Sequence, residues 1–537
     1  MHTRRKFLQY LGLGSIAVFS SFFGLKNFLQ RRQYNFKIQI SGANFKAGHL
    51  LRENIKSIPE NEIETETVIV GGGISGLSAG WYFKKNKYED FLILEMDKSV
   101  GGNSKSGKND VSEYPYGAHY VPIPSSEAKY VRELFTELGI IEGFKKDLPI
   151  YNEFYLCADP HERLYFQGIW QEGLVPAHGI EEEDKKQYKE FFSLVEKLKN
   201  TKGKDGKPAF AIPMEESSQD KEFLDLDKTS MFDFMQRRGL TSRYLNWYVN
   251  YSCRDDYGVS HKKVSAWAGL HYFASRAGKA ANADSQTVLT WPAGNGFLVQ
   301  KLSEICKDKI RTNTLTYRIE KYENFYYVDT IHPETNSLIR YKSKNIIYAS
   351  PRYTAKKVIK NYKDDVANTL DFTPWLIANI TLKEKPTGLG SNLSWDNVSF
   401  YSKSLGYIVA NHQDLTLHRK ETVVTYYLPL DEEEPKAERL KAYLRSKEDW
   451  VDIILEDLEK MHAGITDTIL EIDLWIWGHG MVSPGINFLW SEKREKLLKS
   501  FMGIEFANSD MSGISIFEEA QYRGCEAAKK ILKQISI

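Results

Sequence analysis

Cysteine is scarce in this chain. Four occur in 537 residues, Cys157, Cys253, Cys306 and Cys525, and no two form a Cys-x-x-Cys. That spacing argues against a metal cluster and leaves one or two disulfides, or buried free thiols, as open alternatives. The 12 histidines show no ligand spacing either, so no metal site is expected. An excess of one charge is also missing: 72 basic residues against 71 acidic give a formal net charge of +1. A balance this even offers no electrostatic footprint for nucleic acid, and the run Glu181 to Lys186 reads as the solvated first turn of an amphipathic helix. Internal repeats and low-complexity tracts are absent. What remains is a globular chain whose length allows two to four domains, with 42% hydrophobic and 13% aromatic residues to build its core.

One glycine-rich strand-turn-helix is present and a second is not. Val68-Ile69-Val70-Gly71-Gly72-Gly73-Ile74-Ser75-Gly76-Leu77 reads as a buried strand running through a glycine turn into a helix. Gly71 permits the turn, Gly73 lets backbone approach a pyrophosphate, and Gly76 lets the helix pack closely on the strand. The helix N-terminus, from Ile74 and Ser75, then offers its amides and dipole to the phosphates. The second half of the pattern follows: Phe91-Leu92-Ile93-Leu94-Glu95 is a short apolar strand ending in an acid, 19 residues beyond Gly76, where a carboxylate would take ribose hydroxyls. Without a second unit of this kind no nicotinamide site is expected, so electrons must come from a small organic substrate.

Four later segments narrow the dinucleotide to FAD. Ser99-Val100-Gly101-Gly102-Asn103-Ser104-Lys105-Ser106 resembles the Arg-x-Gly-Gly-Arg-x-x-Ser stretch of the flavin amine oxidase superfamily, which includes monoamine and polyamine oxidases, protoporphyrinogen oxidase and phytoene desaturases. Gly101, Gly102 and Ser106 agree with it; Ser99 and Asn103 stand where relatives have arginines. Asn103 retains an amide donor, and Lys98 and Lys105 are the candidates to supply charge. Trp291-Pro292-Ala293-Gly294-Asn295-Gly296 resembles the start of a helix near the flavin, and Ile346 to Pro351 the strand that re-enters the FAD domain. Phe506 to Ala520 is similar to the superfamily's last motif. By that resemblance Asp510 contacts the ribityl-diphosphate, and Gly513, Ile514 and Ser515 point at the pyrimidine edge of the flavin, where amides and a helix dipole stabilise the negative charge of its reduced form. The alternative for Asp510 is a plain helix N-cap.

The N-terminus reads as a targeting segment. Thr3-Arg4-Arg5-Lys6-Phe7-Leu8-Gln9 resembles a twin-arginine signal and precedes the apolar stretch Leu11 to Leu25. Export of a folded holoprotein by the twin-arginine machinery, to a periplasmic or otherwise external location, is expected. No Ala-x-Ala cleavage site follows, so a retained segment would serve as a membrane anchor.

The expected fold is α/β: a discontinuous Rossmann-like FAD-binding domain from residues 64–124, 286–351 and 475–537, behind a signal at 1–32. Residues 125–285 and 371–474 form an inserted α+β substrate domain. In the inserts, Tyr188, Phe191, Phe192, Val195 and Leu198 mark a helix, Leu376 to Thr381 and Thr422 to Leu428 alternate as strands, and Lys447 to His462 reads as a helix. His119, Tyr120 and His479 are candidates for the substrate pocket. The resemblance implies an FAD-dependent oxidoreductase that oxidises an amine, a polyamine among the candidates, by hydride transfer to flavin N5. Desaturation or isomerisation of a lipid-like substrate, or non-catalytic FAD binding, are the alternatives.

Overall fold

The computed structural model describes residues 34–363, 370–414 and 419–535, apart from 54 and 56. The segment read as an export signal lies outside these residues. Among the described residues no helix is long and apolar enough to cross a membrane.

Two sheets organise the molecule. The first has seven strands, and its centre is the apolar run ending Asn61–Val70. Phe91–Leu94 lies parallel on one side of it and Leu338–Tyr348 parallel on the other, with Val68 opposite Leu92 and Ile346, and Ile69 opposite Ile93 and Ile347. Parallel strands covered on both faces need continuous apolar sequence, and Val68, Ile69, Ile93, Ile346 and Ile347 are all fully buried. Ile310–Arg311 extends the sheet past Phe91–Leu94. On the far side, Tyr326–Ile331 and Leu315–Lys321 add an antiparallel hairpin, while Ile504–Phe506 pairs with the end of Leu338–Tyr348.

Helix Ile74–Lys85 covers one face of this sheet and is itself buried by the C-terminal helix Phe517–Ile535. The two cross at Gly524, where a methyl group would lie 2.1 Å from the Ser75 carbonyl oxygen. Gly524 thus gives the last helix a surface that lets two backbones touch.

The second sheet has eight strands in the order Lys37–Gly42, Ile469–Val482, Phe372–Leu382, Thr422–Pro429, Tyr407–Val409, Asp396–Ser399, Glu162–Phe166, Ile169–Glu172. Every residue of Phe372–Leu382 is buried, because both faces are covered. Leu376, Ala378 and Ile380 pack with Trp450, Ile454 and Leu458 of helix Lys447–Met461. Trp375 and Ile377 face the other way, into a core shared with helices Glu182–Lys199, Met231–Arg237, Arg243–Tyr257 and Ala266–Ala274.

The α/β class and the inserted α+β layer stand as expected, and the domain borders differ in detail. Residues 475–482 do not sit with the cofactor sheet; they complete Ile469–Val482 in the second sheet. Its edge partner Lys37–Gly42 precedes the glycine turn altogether. Conversely, helix Lys129–Glu137 packs its Val131, Leu134 and Phe135 on the cofactor side, with Phe517 and Ile531. Motifs mark where a domain binds its cofactor, whereas pairing between distant strands marks where it ends.

Candidate functional site

The glycine turn is built around two different kinds of space. Gly71 has φ +111°, a conformation costly for other residues, and a methyl there would meet the Ala349 carbonyl carbon at 2.9 Å. At Gly76 a methyl would lie 1.9 Å from the Gly71 carbonyl oxygen, so the helix can only leave the strand this tightly with glycine. Gly73 is different: its methyl would meet nothing nearer than the Gly102 Cα at 4.0 Å. Gly102 in turn would meet only the Gly73 Cα, at 3.4 Å. The two bare backbones face an open cradle at the N-terminus of Ile74–Lys85, where no side chain caps the helix. Ile74 and Ser75 are buried beside it. This is the form a pyrophosphate site takes.

Glu95 ends the next strand as the ribose reading requires. Its Oε2 accepts from the Gly72 amide at 2.8 Å and its Oε1 from the Asp97 amide at 2.9 Å. Burial raises its pKa, with Lys105 opposing that shift. The lysines do not provide the phosphate charge that the sequence left open. Lys105 is buried in an ion pair with Asp97, and Lys98 pairs with Glu334 at 2.8 Å. Asn103 donates its side-chain amide to the Gly480 carbonyl, so it ties the cradle to the second sheet.

Around Asn103 the remaining segments converge. The Gly101 amide bonds the Gly72 carbonyl at 2.8 Å, the Ala118 amide bonds the Asn103 carbonyl at 3.2 Å, and the Asn295 amide bonds the Ala118 carbonyl at 3.0 Å. The Trp477 indole donates to the Tyr116 carbonyl. Ser106 lies against the start of helix Gly296–Ile305, leaving no room for a side chain at Gly296. Among the described residues the buried Asn295 side-chain oxygen has no hydrogen-bond partner.

At the C-terminus Asp510 is buried in the short turn Ser509–Met511 and accepts from the Arg352 amide at 3.0 Å. It does not cap Phe517–Ile535. Burial pushes its pKa up to about 6, against the Arg352 amide and guanidinium. Beyond it Gly513 packs against Leu489 and Phe488, Ile514 is fully buried, and the Ser515 hydroxyl accepts from the Val482 amide at 3.0 Å. Glu95, Asp510 and the bare cradle together fit an FAD.

His119 and Tyr120 sit partly buried among aromatic rings and acids. Each keeps an accessible face, yet burial is the largest influence on its titration, lowering His119 to about 4 and raising Tyr120. His119 lies 4.6 Å from Tyr427 and 5.6 Å from Trp395, ring to ring. Tyr120 donates to Asp255 at 3.3 Å and receives a bond from Arg276 at 2.8 Å. Arg276 also holds Asp256 at 2.9 Å, and Asp396 accepts from Tyr251 at 3.1 Å. Burial raises the pKa values of Asp255, Asp256, Asp396 and Glu162; like charge adds to the rise at Asp255 and Asp396. His479 lies elsewhere: it stacks on Tyr353 at 4.6 Å, and burial holds it neutral with a pKa of about 3. No local spacing in the sequence marks these acids, which come from 162, 255, 256 and 396 and meet only in the fold.

Comparison with known proteins agrees with this geometry. The model of the NAD(P)-binding Rossmann-like domain matches residues 69–138. A curated relative, a probable flavin-containing monoamine oxidase A of Dictyostelium discoideum, is 31% identical over 104 residues, 19% of this chain and 21% of that protein. This chain therefore aligns with about a fifth of that relative's length. A putrescine oxidase triple mutant superposes with a TM-score of 0.66 at 14% identity, over 88% of this chain and all of that one. The chain has the flavin amine oxidase fold. A fatty acid isomerase from P. acnes also has this architecture, at TM-score 0.57 and 18% identity over 90% of this chain and all of that one. The amine oxidase fold therefore does not by itself choose a substrate; the interior lining must.

Two of the four cysteines show how the fold uses them. Cys306 and Cys525 are buried free thiols packed beside helix Ile74–Lys85, and Cys157 and Cys253 are likewise buried and free.

Proposed function

We propose that this protein is an FAD-dependent oxidoreductase that oxidises an amine. The observation carrying the reading is the buried acidic cluster, where Glu162, Asp255, Asp256 and Asp396 outnumber the basic groups that act on them, Arg276 and His161. Buried carboxylates in excess favour a cationic guest and disfavour a fatty acid. Aromatic faces at Tyr120, Trp395 and Tyr427 add attraction for an ammonium.

Glu95 would hold the ribose, the amides at the start of Ile74–Lys85 the pyrophosphate, and Gly513 to Ser515 the pyrimidine edge. Bound FAD would supply the two-electron acceptor, taking hydride at N5. An ammonium beside Asp255 and Asp396 would favour their ionised forms and be held by them, while Tyr120, Trp395 and Tyr427 would orient its carbon skeleton and exclude water. The substrate must shed a proton before it can give up hydride, and Asp255, whose raised pKa lies nearer neutrality, is placed to take it.

The test is anaerobic mixing of the holoprotein with amines, amino acids, fatty acids and polyenes while following flavin absorbance. Amines should bleach the flavin, faster as pH rises toward the pKa of the bound amine, and Asp255→Asn should slow them by about tenfold or more. Bleaching by a fatty acid or polyene and by no amine would replace this reading with desaturation or isomerisation.

A further inference from the structure

The loop that reaches the pyrimidine edge is held by a buried clamp whose centre comes from the insert. Glu215, in the turn Met214–Glu216, receives hydrogen bonds from both Arg494 and Arg523. Arg494 and Arg523 are almost entirely buried, and each spends its other donors on the loop. Arg494 Nε donates to the Met511 carbonyl at 2.8 Å and its NH1 to the Leu489 carbonyl at 3.0 Å. Arg523 Nε donates to the Ser512 hydroxyl at 2.8 Å. The contact is reciprocated: Glu519, at the start of the last helix, accepts from the Met214 amide at 2.6 Å. Met511 and Ser512 immediately precede Gly513, Ile514 and Ser515. Leu489, whose carbonyl Arg494 also holds, packs against Gly513 itself.

We infer that Glu215 is a positioning residue for the flavin: through Arg494 and Arg523 it fixes the amides of Ile514 and Ser515 where they stabilise negative charge on the reduced pyrimidine ring, the Gly513 amide being held by the Asp510 carbonyl at 3.1 Å. Burial alone would raise the Glu215 pKa, but Arg523 and Arg494 outweigh it and hold the carboxylate ionised. Two guanidiniums pulled toward one carboxylate have a defined separation, and the loop inherits it. Dipoles stabilise a developing charge only when they are already oriented, so a clamp that removes loop freedom contributes directly to the reduction potential. It also ties the insert that lines the substrate space to the loop that faces the cofactor. The inference rests on FAD occupying the site as proposed.

The experiment measures the flavin midpoint potential of holoprotein with Glu215→Gln and Glu215→Ala, alongside FAD content. Glu215→Ala should weaken stabilisation of the reduced flavin by about tenfold, a shift of about 30 mV to more negative potential for a two-electron couple. Glu215→Gln, which keeps one acceptor for the arginines, should shift it less. Ser512→Ala removes the hydroxyl that joins Arg523 and Glu519 to the loop and leaves the charges balanced, so it reports on the clamp even if Glu215→Ala does not fold; it should shift the potential in the same direction. Unchanged potentials in folded, flavin-loaded variants would overturn the inference while leaving the oxidoreductase reading intact. A purified parent protein that takes up no flavin would overturn both.

Discussion

Gly73 and Gly76, three residues apart in the same turn, should fail in opposite ways when each is made alanine. At Gly73 the new methyl meets no protein atom closer than the Gly102 Cα at 4.0 Å, and the backbone, with φ −74°, is open to any residue. The loss of backbone freedom in the unfolded chain favours alanine, and its weakness as an N-cap opposes it. The apoprotein of Gly73→Ala should therefore keep its stability to within about 1 kcal/mol. FAD should suffer, because the methyl occupies the cradle and pushes the pyrophosphate off the helix amides. Each charged hydrogen bond lost is worth about 1.5 to 3 kcal/mol, so the affinity should fall by about tenfold to a hundredfold. Gly76→Ala is the reverse: a methyl 1.9 Å from the Gly71 carbonyl oxygen cannot be accommodated without moving backbone. Overpacking of this kind costs about 1 to 3 kcal/mol or more in the apoprotein itself. Flavin-stripped protein followed by urea unfolding gives the first quantity, and quenching of FAD fluorescence on rebinding gives the second. If Gly73→Ala binds FAD within twofold of the parent, the pyrophosphate does not lie over Gly73.

Three further outcomes are expected. Asp510 has its pKa raised from 3.8 to about 6 in the folded apoprotein, so its contribution to stability is fully present below pH 3.8 and is lost as pH rises through 6. The loss amounts to about 3 kcal/mol, and the difference in urea midpoint between the parent and Asp510→Asn should change accordingly between pH 4 and pH 7. Gly524→Val should lower the melting temperature of the apoprotein by forcing helix Phe517–Ile535 off the Ser75 carbonyl, at a cost of about 1 to 3 kcal/mol; an unchanged melting temperature would show that the helices can separate freely. Replacing Arg4 and Arg5 by lysine should leave the flavin-loaded protein in the cytoplasm on fractionation, and undiminished export would remove the twin-arginine proposal.

Local sequence was enough for the cofactor half of the fold. Val68 to Val70, the glycine turn and Phe91 to Glu95 specify strand, turn and strand by themselves, because a continuous apolar run, a helix start with room only for glycine and a terminal acid are properties of neighbours in the chain. The strands at Phe372–Leu382 and Thr422–Pro429 were legible for the same reason. The substituted arginines were visible too, but not their consequence: that Lys105 is committed to Asp97, and Asn103 to Gly480, depends on partners that only folding supplies. The domain border in Ile469–Val482 follows from its pairing with Lys37–Gly42, more than 400 residues earlier in the chain. Tertiary structure alone gathered Glu162, Asp255, Asp256 and Asp396 around Arg276, and Glu215 between two C-terminal arginines. A carboxylate acquires its chemistry from desolvation and from the charges packed against it, and neither is written in the residues on either side of it.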